Sequence, residues 1–113
     1  MTLREGVSIN QVGEYGQRIR ANIGVDVSNN IGLRMILEPT KGVKVVLTHD
    51  DGVSVGRLDV MECGKLLQAN QYLEYVVKED DLDTSGRWGK KGVAEISDTE
   101  VKVGLNERFI VRA

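Results

Sequence analysis

Short runs of residues in which apolar and polar side chains alternate are the feature that most constrains how this chain can fold. Three such runs occupy residues 18–23, 32–37 and 43–48. A repeat of two places alternate side chains on opposite faces of a β-strand, whereas helical spacing of apolar residues is scarce in this sequence. Each run therefore predicts a strand with one face on a core. The apolar members of the three runs are Ile19, Ala21, Ile23, Leu33, Met35, Leu37, Val43, Val45 and Leu47.

Further strand candidates continue this pattern through the second half of the chain. They occupy residues 57–60, 72–77, 87–96, 101–103 and 108–111. Residues 65–69 are compatible with either one helical turn or an irregular crossing. Asp50-Asp51-Gly52 lies between two apolar runs, and a glycine after aspartate supplies the positive φ that a tight hairpin needs. The sequence thus predicts an all-β sandwich of about seven to nine short antiparallel strands, with a hairpin at residues 45–55.

The charge balance and the cysteine count exclude several classes of protein. The 113 residues fit one domain, and 15 basic against 17 acidic side chains give a net charge of -2. This charge provides no general attraction to nucleic acid or to an anionic membrane, and we expect neither as a partner. The single cysteine, Cys63, cannot form an intramolecular disulfide, so we expect a small, partly buried residue in a protein folded in a reducing cytosol. No apolar run approaches a membrane span, and residues 1–5 lack the apolar segment of a signal peptide.

The first sixteen residues are separated from the rest by their glycines. Gly6, Gly13 and Gly16 surround the segment Val7-Ser8-Ile9-Asn10-Gln11-Val12. One interpretation is a loose tail or a first edge strand. The other is an arm that adds a strand to a neighbouring subunit, because an extended segment satisfies an exposed sheet edge. We therefore divide the chain into an arm or edge strand at residues 1–16 and a sandwich at residues 17–113.

An acidic stretch at residues 78–86 resembles the start of a calcium loop. Asp81, Asp83 and Ser85 alternate before Gly86, as oxygen ligands do in such loops. The closing carboxylate belongs six residues after that glycine, where this chain has Gly92. We therefore expect a solvated turn between strands and no metal site.

No group of residues meets the requirements of catalysis. The only histidine, His49, lies in the predicted hairpin turn, and no cysteine–histidine set has zinc spacing. The basic run at residues 86–92 lacks the Gly-Lys-Ser/Thr of a phosphate loop. We expect this run to be the solvated side of a strand, with contact to a phosphate or an acidic partner as the alternative. The sequence therefore predicts no catalytic, cofactor-binding or metal-binding residue, and a binding module in place of an enzyme.

Trp88 is the only tryptophan and follows the acidic stretch. A large aromatic side chain on a strand is expected to anchor the core. The alternative is an exposed hot spot for binding. A carbohydrate-binding or adhesion module would need such exposed aromatic side chains, and aromatic residues make up only 4% of this chain.

Several segments between residues 13 and 111 follow one another in a characteristic order. An entry to a first strand at residues 13–19 is followed by a valine, aspartate, aliphatic, serine, turn and strand segment at residues 25–33. Later come Met35-Ile36-Leu37-Glu38-Pro39, Asp81-Leu82-Asp83-Thr84-Ser85-Gly86-Arg87-Trp88 and a closing strand Arg108-Phe109-Ile110-Val111. Taken together, these segments resemble the immunoglobulin-like domains of structural proteins from tailed bacteriophages, such as the N-terminal domain of baseplate upper proteins. The chain departs from the immunoglobulin pattern in having Trp88 where tyrosine is usual and in lacking a cysteine pair between the sheets.

The resemblance implies an immunoglobulin-like β-sandwich with a structural role in the virion. It implies many copies at the neck, tail or baseplate, assembled in the bacterial host cytoplasm, with other virion structural proteins and a homo-oligomer or ring as partners. A decoration protein on the capsid surface is the variant of this hypothesis. The resemblance also implies that the hydroxyl hydrogen bond of a tyrosine corner is missing at Trp88.

Overall fold

The computed structural model of the protein describes residues 8–13 and 15–113, and these residues form eleven strands. The strands are β1 Ser8–Gln11, β2 Arg18–Asn22, β3 Gly32–Pro39, β4 Val45–Thr48, β5 Ser54–Val55, β6 Val60–Glu62, β7 Lys65–Leu67, β8 Tyr72–Val76, β9 Gly86–Ser97, β10 Glu100–Val103 and β11 Glu107–Arg112. The only other regular element in this part of the chain is a single 3₁₀ turn at His49–Asp51. Nowhere in the described ranges is there a helix with the length and apolarity to cross a membrane.

The strands form a large sheet, a small sheet and a hairpin. The large sheet has the order β1-β11-β9-β3-β4, and β10 pairs with β9. The small sheet has the order β2-β8-β5, while β6 and β7 pair only with each other. Every pairing is antiparallel except that of β1 with β11, which is parallel. The fold is therefore all-β, as predicted.

One core contains the inward faces of both sheets. In β2 and β3 the predicted alternation is confirmed, because Ile19, Ala21, Leu33, Met35 and Leu37 are all buried. The run at residues 43–48 is confirmed only in part: Leu47 is buried, but Val43 precedes β4 and is 85% exposed. Residues of β8, β9 and β11 complete the core, including Leu73, Tyr75, Trp88, Phe109 and Val111.

The number and direction of the strands differ from the sequence prediction of seven to nine antiparallel strands. The structure has eleven strands in its described residues, three of which contain only two or three residues. Such short elements carry too few side chains to show an alternating pattern. The parallel pairing of β1 with β11 joins the two ends of the described chain. A pairing between residues so far apart cannot be predicted from a local sequence pattern.

The predicted hairpin at residues 45–55 is wrong. Strand β4 pairs with β3 in the large sheet, whereas β5 pairs with β8 in the small sheet. A capping box produces the difference: Thr48 Oγ1 accepts a hydrogen bond from the backbone N–H of Asp50, and the Asp51 carboxylate accepts one from the backbone N–H of Thr48. Gly52 has the expected positive φ of 108°, but it ends this 3₁₀ turn. The segment therefore carries the chain from one sheet to the other.

A hairpin formed by β6 and β7 occupies the segment that was predicted as a helical turn or an irregular crossing. Residues 65–67 are strand β7, which pairs with β6. Cys63 and Gly64 connect the two strands and have φ values of 51° and 81°. Two consecutive positive φ angles characterise the tight turn that fits the twist of a hairpin. Cys63 is partly buried, as predicted, and burial raises the pKa of its thiol.

Candidate interaction surfaces

The predicted N-terminal arm contains an edge strand. Residues 8–11 lie parallel to residues 109–112 of β11, and the N–H of Val12 donates to Arg112 O at 2.7 Å. Strand β1 thus continues the large sheet by one strand. Residues 1–7 and 14 lie outside the described residues, so the division of the chain at residue 16 stays a prediction.

A glycine-containing link connects β1 to β2. Gly13 and Gly16 have φ values of 81° and 93°, a region that glycine enters at little cost. The N–H of Gly13 donates to Leu82 O at 3.1 Å, and the N–H of Gly16 donates to Val77 O at 2.8 Å. The link therefore crosses from the edge of the large sheet to the small sheet.

Trp88 is confirmed as a core anchor. Only 2% of its surface is exposed, and its ring lies 5.8 Å from that of Phe109, centroid to centroid. Its indole Nε1–H donates to the backbone carbonyl of Thr84 at 2.9 Å. The hydroxyl hydrogen bond of a tyrosine corner was expected to be missing here. The indole N–H of Trp88 instead donates a hydrogen bond to the preceding turn.

The aromatic side chains do not form a platform for stacking sugars. Tyr72, Tyr75, Trp88 and Phe109 are all buried, and Tyr15 is 63% exposed. The chain has five aromatic residues in total. A carbohydrate-binding surface made of two or more exposed rings is therefore not formed by them.

The acidic stretch forms a turn between β8 and β9, which we call the acidic turn (residues 79–83). The Asp81 carboxylate accepts a hydrogen bond from the Tyr75 hydroxyl at 2.5 Å and one from the N–H of Lys78 at 2.6 Å. Burial, together with the bond to Asp81, raises the pKa of Tyr75 well above its usual range. Glu79, Asp80 and Asp83 are exposed at this turn. Within residues 8–13 and 15–113 no three acidic, histidine or cysteine side chains are placed to hold a metal ion.

Lys90 corrects the expectation that the basic run is the solvated side of a strand. Its side chain is only 6% exposed, and its Nζ lies 3.2 Å from Glu62 Oε1 on the small hairpin. Arg20 Nη1 lies 3.1 Å from the other oxygen of Glu62, and Arg20 Nε lies 3.0 Å from Glu74 Oε2. Burial lowers the pKa of Arg20, but its hydrogen bonds to the two glutamates outweigh that effect and raise it. Glu62 therefore ties the β6–β7 hairpin to β9 and β2.

Two arginines, one from the basic run and one from β11, line an open cleft of about 500 Å³, which we call the basic cleft. Arg87 of β9 and Arg108 of β11 border it, with Glu38 of β3 on the other side. Gly89 stands opposite both Arg108 and Glu38 in the strand register, so it places no side chain of its own between them. Asn106 lies over this glycine, because a Cβ built there would come within 2.9 Å of its Oδ1. Sequence reasoning missed the cleft, since it depends on the register of three strands.

A Gly-x-Ser-x-Gly pattern at residues 52–56 was also missed. In hydrolases this pattern places the serine on a sharp turn between a strand and a helix. Here Ser54 lies within β5 and no helix follows it. His49 Nε2 lies 3.3 Å from Asp50 Oδ1 in the exposed 3₁₀ turn, and no hydrogen bond between His49 and Ser54 is present in this described segment. The pattern is therefore part of an ordinary edge strand.

Comparison with known proteins gave no family model that matches the chain and no curated protein that matches it. The function is therefore argued from the surfaces described above and from the sequence resemblance.

Proposed function

We propose that this chain is a bacteriophage virion structural protein. It is a non-enzymatic assembly module that is present in many copies at the neck, tail or baseplate and binds other virion proteins. The observation that carries the proposal is strand β1, an N-terminal strand held at the edge of a sheet. A decoration protein on the capsid surface is the variant that uses the same surfaces.

Strand β1 is suited to exchange between subunits. It lies at the edge of its sheet, it pairs with β11 alone, and the glycine-containing link joins it to the rest of the chain. If β1 of one copy pairs with β11 of another copy, it forms the same backbone hydrogen bonds that it forms within its own chain. Exchange of an identical element therefore has a small net free-energy cost, which makes it a common route to assembly.

The packing of the two sheets supports an immunoglobulin-like sandwich as the fold within this proposal. Both sheets share one core, and Trp88 lies in it directly after the turn that leads into β9. The indole bond to Thr84 fixes that turn in the way that a tyrosine hydroxyl fixes the corresponding corner of immunoglobulin domains. The resemblance of residues 25–33 and 81–88 to phage domains supports the virion role.

Deletion of residues 1–12 tests the proposal, with deletion of residues 1–7 as the matched control because it retains β1. The first deletion is expected to leave a folded domain, measured by circular dichroism, that no longer enters particles. The control is expected to assemble. Mass spectrometry of purified particles measures incorporation of both variants and of the intact chain.

Two outcomes contradict the proposal. If the intact chain is not found in purified particles, the virion role is wrong. If deletion of residues 1–12 unfolds the domain, β1 is an obligatory part of the core and does not serve as an exchangeable strand.

A further inference from the structure

The basic cleft has two arginines whose charges are not used within the described structure. No hydrogen bond or ion pair from Arg87 or Arg108 to a carboxylate occurs among residues 8–13 and 15–113, whereas Arg18, Arg20 and Arg34 all lie within 4.0 Å of a glutamate oxygen. Both free guanidinium groups border the same cleft. A planar guanidinium binds carboxylates through two parallel hydrogen bonds, so the pair forms a site for acidic groups.

Gly89 contributes no side chain to the floor of the cleft, and Asn106 lies over it. In the strand register Gly89 separates Arg108 from Glu38, and Arg87 lies two positions earlier on the same face of β9. A ligand carboxylate is attracted toward the two arginines and repelled by Glu38. The cleft therefore favours an acidic segment that approaches along its arginine side.

The acidic turn of the same chain has the complementary charge. Glu79, Asp80 and Asp83 are exposed, and in the described part of the chain none of the three forms an ion pair. Asp80 has a φ of 72°, which places it at the apex of a tight turn. The two hydrogen bonds that Asp81 accepts hold the shape of the turn. Because the turn is already ordered, binding it costs little additional conformational entropy.

We infer that the acidic turn of one copy docks into the basic cleft of a second copy of this chain. The inference rests on the proposed function, since it names the contact through which a multi-copy module meets its neighbour. The turn carries three exposed carboxylates and two guanidinium groups border the cleft, and none of the five forms an ion pair among the described residues of one copy. The contact is electrostatic and is separate from the exchange of β1.

A charge-swap experiment tests this contact. The cleft variant carries Arg87→Glu and Arg108→Glu, and the turn variant carries Glu79→Lys and Asp80→Lys. Each variant alone brings like charges together, so its self-association, measured by analytical ultracentrifugation at low salt, is expected to fall at least about tenfold. A mixture of the two brings opposite charges together again and is expected to restore association. Increasing salt is expected to weaken the association of the intact chain.

The control is the variant with Lys44→Glu and Lys102→Glu. It changes the net charge by the same amount as the cleft variant, but both positions lie outside the cleft lining. It is expected to associate like the intact chain. The inference is overturned if the intact chain is a monomer at low salt, if the mixture does not recover association, or if the control loses it. The proposed virion role survives a monomeric intact chain, because incorporation into particles through β1 is measured separately.

Discussion

Replacement of Glu62 by glutamine is expected to destabilise the protein by leaving Lys90 without its counter-charge. The Lys90 side chain is 6% exposed and its Nζ lies 3.2 Å from Glu62 Oε1. Arg20 also loses a contact at 3.1 Å, but it keeps Glu74 at 3.0 Å. The main effect of Glu62→Gln is therefore a buried ammonium group that lacks a counter-charge.

The expected size of this effect is intermediate between those of buried and exposed ion pairs. Removal of one partner from a fully buried pair costs about 3–5 kcal/mol. Because the Glu62 side chain is 21% exposed, water partly solvates the pair, and we expect about 2–3 kcal/mol at this site. The free energy of unfolding of a small domain is about 5–15 kcal/mol, so the change is large enough to measure.

Urea unfolding followed by Trp88 fluorescence measures this change, because the single tryptophan is buried in the core. Glu62→Gln is expected to lower the midpoint without changing the slope. The double variant with Lys90→Met removes the stranded charge as well and is expected to recover most of the loss. Glu100→Gln is the control, since it breaks an exposed pair with Lys102 and is expected to cost under about 0.5 kcal/mol.

If Glu62→Gln costs no more than Glu100→Gln, the pair of Glu62 with Lys90 does not stabilise the fold more than an exposed ion pair does. If the double variant is as unstable as the single one, the charge on Lys90 is not the source of the lost stability.

Two further substitutions test the core and the acidic turn. Trp88→Ala is expected to cost about 3–5 kcal/mol, measured by circular dichroism during thermal or urea unfolding, because it empties a fully buried site; a nearly neutral result would contradict the role of Trp88 as an anchor. The pKa of Tyr75 is higher in the folded state than in the unfolded state. The contribution of Tyr75 to stability is therefore present below the usual tyrosine pKa of about 10 and is lost as the pH rises above that value. Above about pH 10 the free energy of unfolding is therefore expected to fall with a slope of at most about 1.4 kcal/mol per pH unit from this group. The free energy of unfolding of Tyr75→Phe is expected to fall less steeply over the same range. An unchanged slope in Tyr75→Phe would show that other groups cause the loss.

The strands with a clear alternation were predictable from the sequence. In β2 and β3 the burial of Ile19, Ala21, Met35 and Leu37 follows the repeat of two, because each strand has one face on the core. The core role of Trp88 was predictable for a similar reason, since a large aromatic residue gains most from burial. These signals lie within a few residues of one another in the chain.

One error came from a local signal that was overlooked, and the other differences came from residues that are distant in the sequence. The Asp-Gly signal at residues 51–52 was interpreted as a hairpin, but Thr48 caps a 3₁₀ turn that carries β5 into the other sheet. Lys90 was expected in solvent, but it is buried beside Glu62, a half-buried counter-charge that is distant in the sequence. The basic cleft forms only when β3, β9 and β11 are in register. The last two outcomes depend on residues that are far apart in the sequence, so no local pattern shows them.

The pairing of β1 with β11 has a consequence for the order of events during synthesis. A ribosome makes residues 8–11 early, and their partner, residues 109–112, is made about a hundred residues later. During that interval β1 has no strand of its own chain to pair with. The large sheet therefore reaches its full width only after residues 109–112 have been made, because β1 joins it through β11.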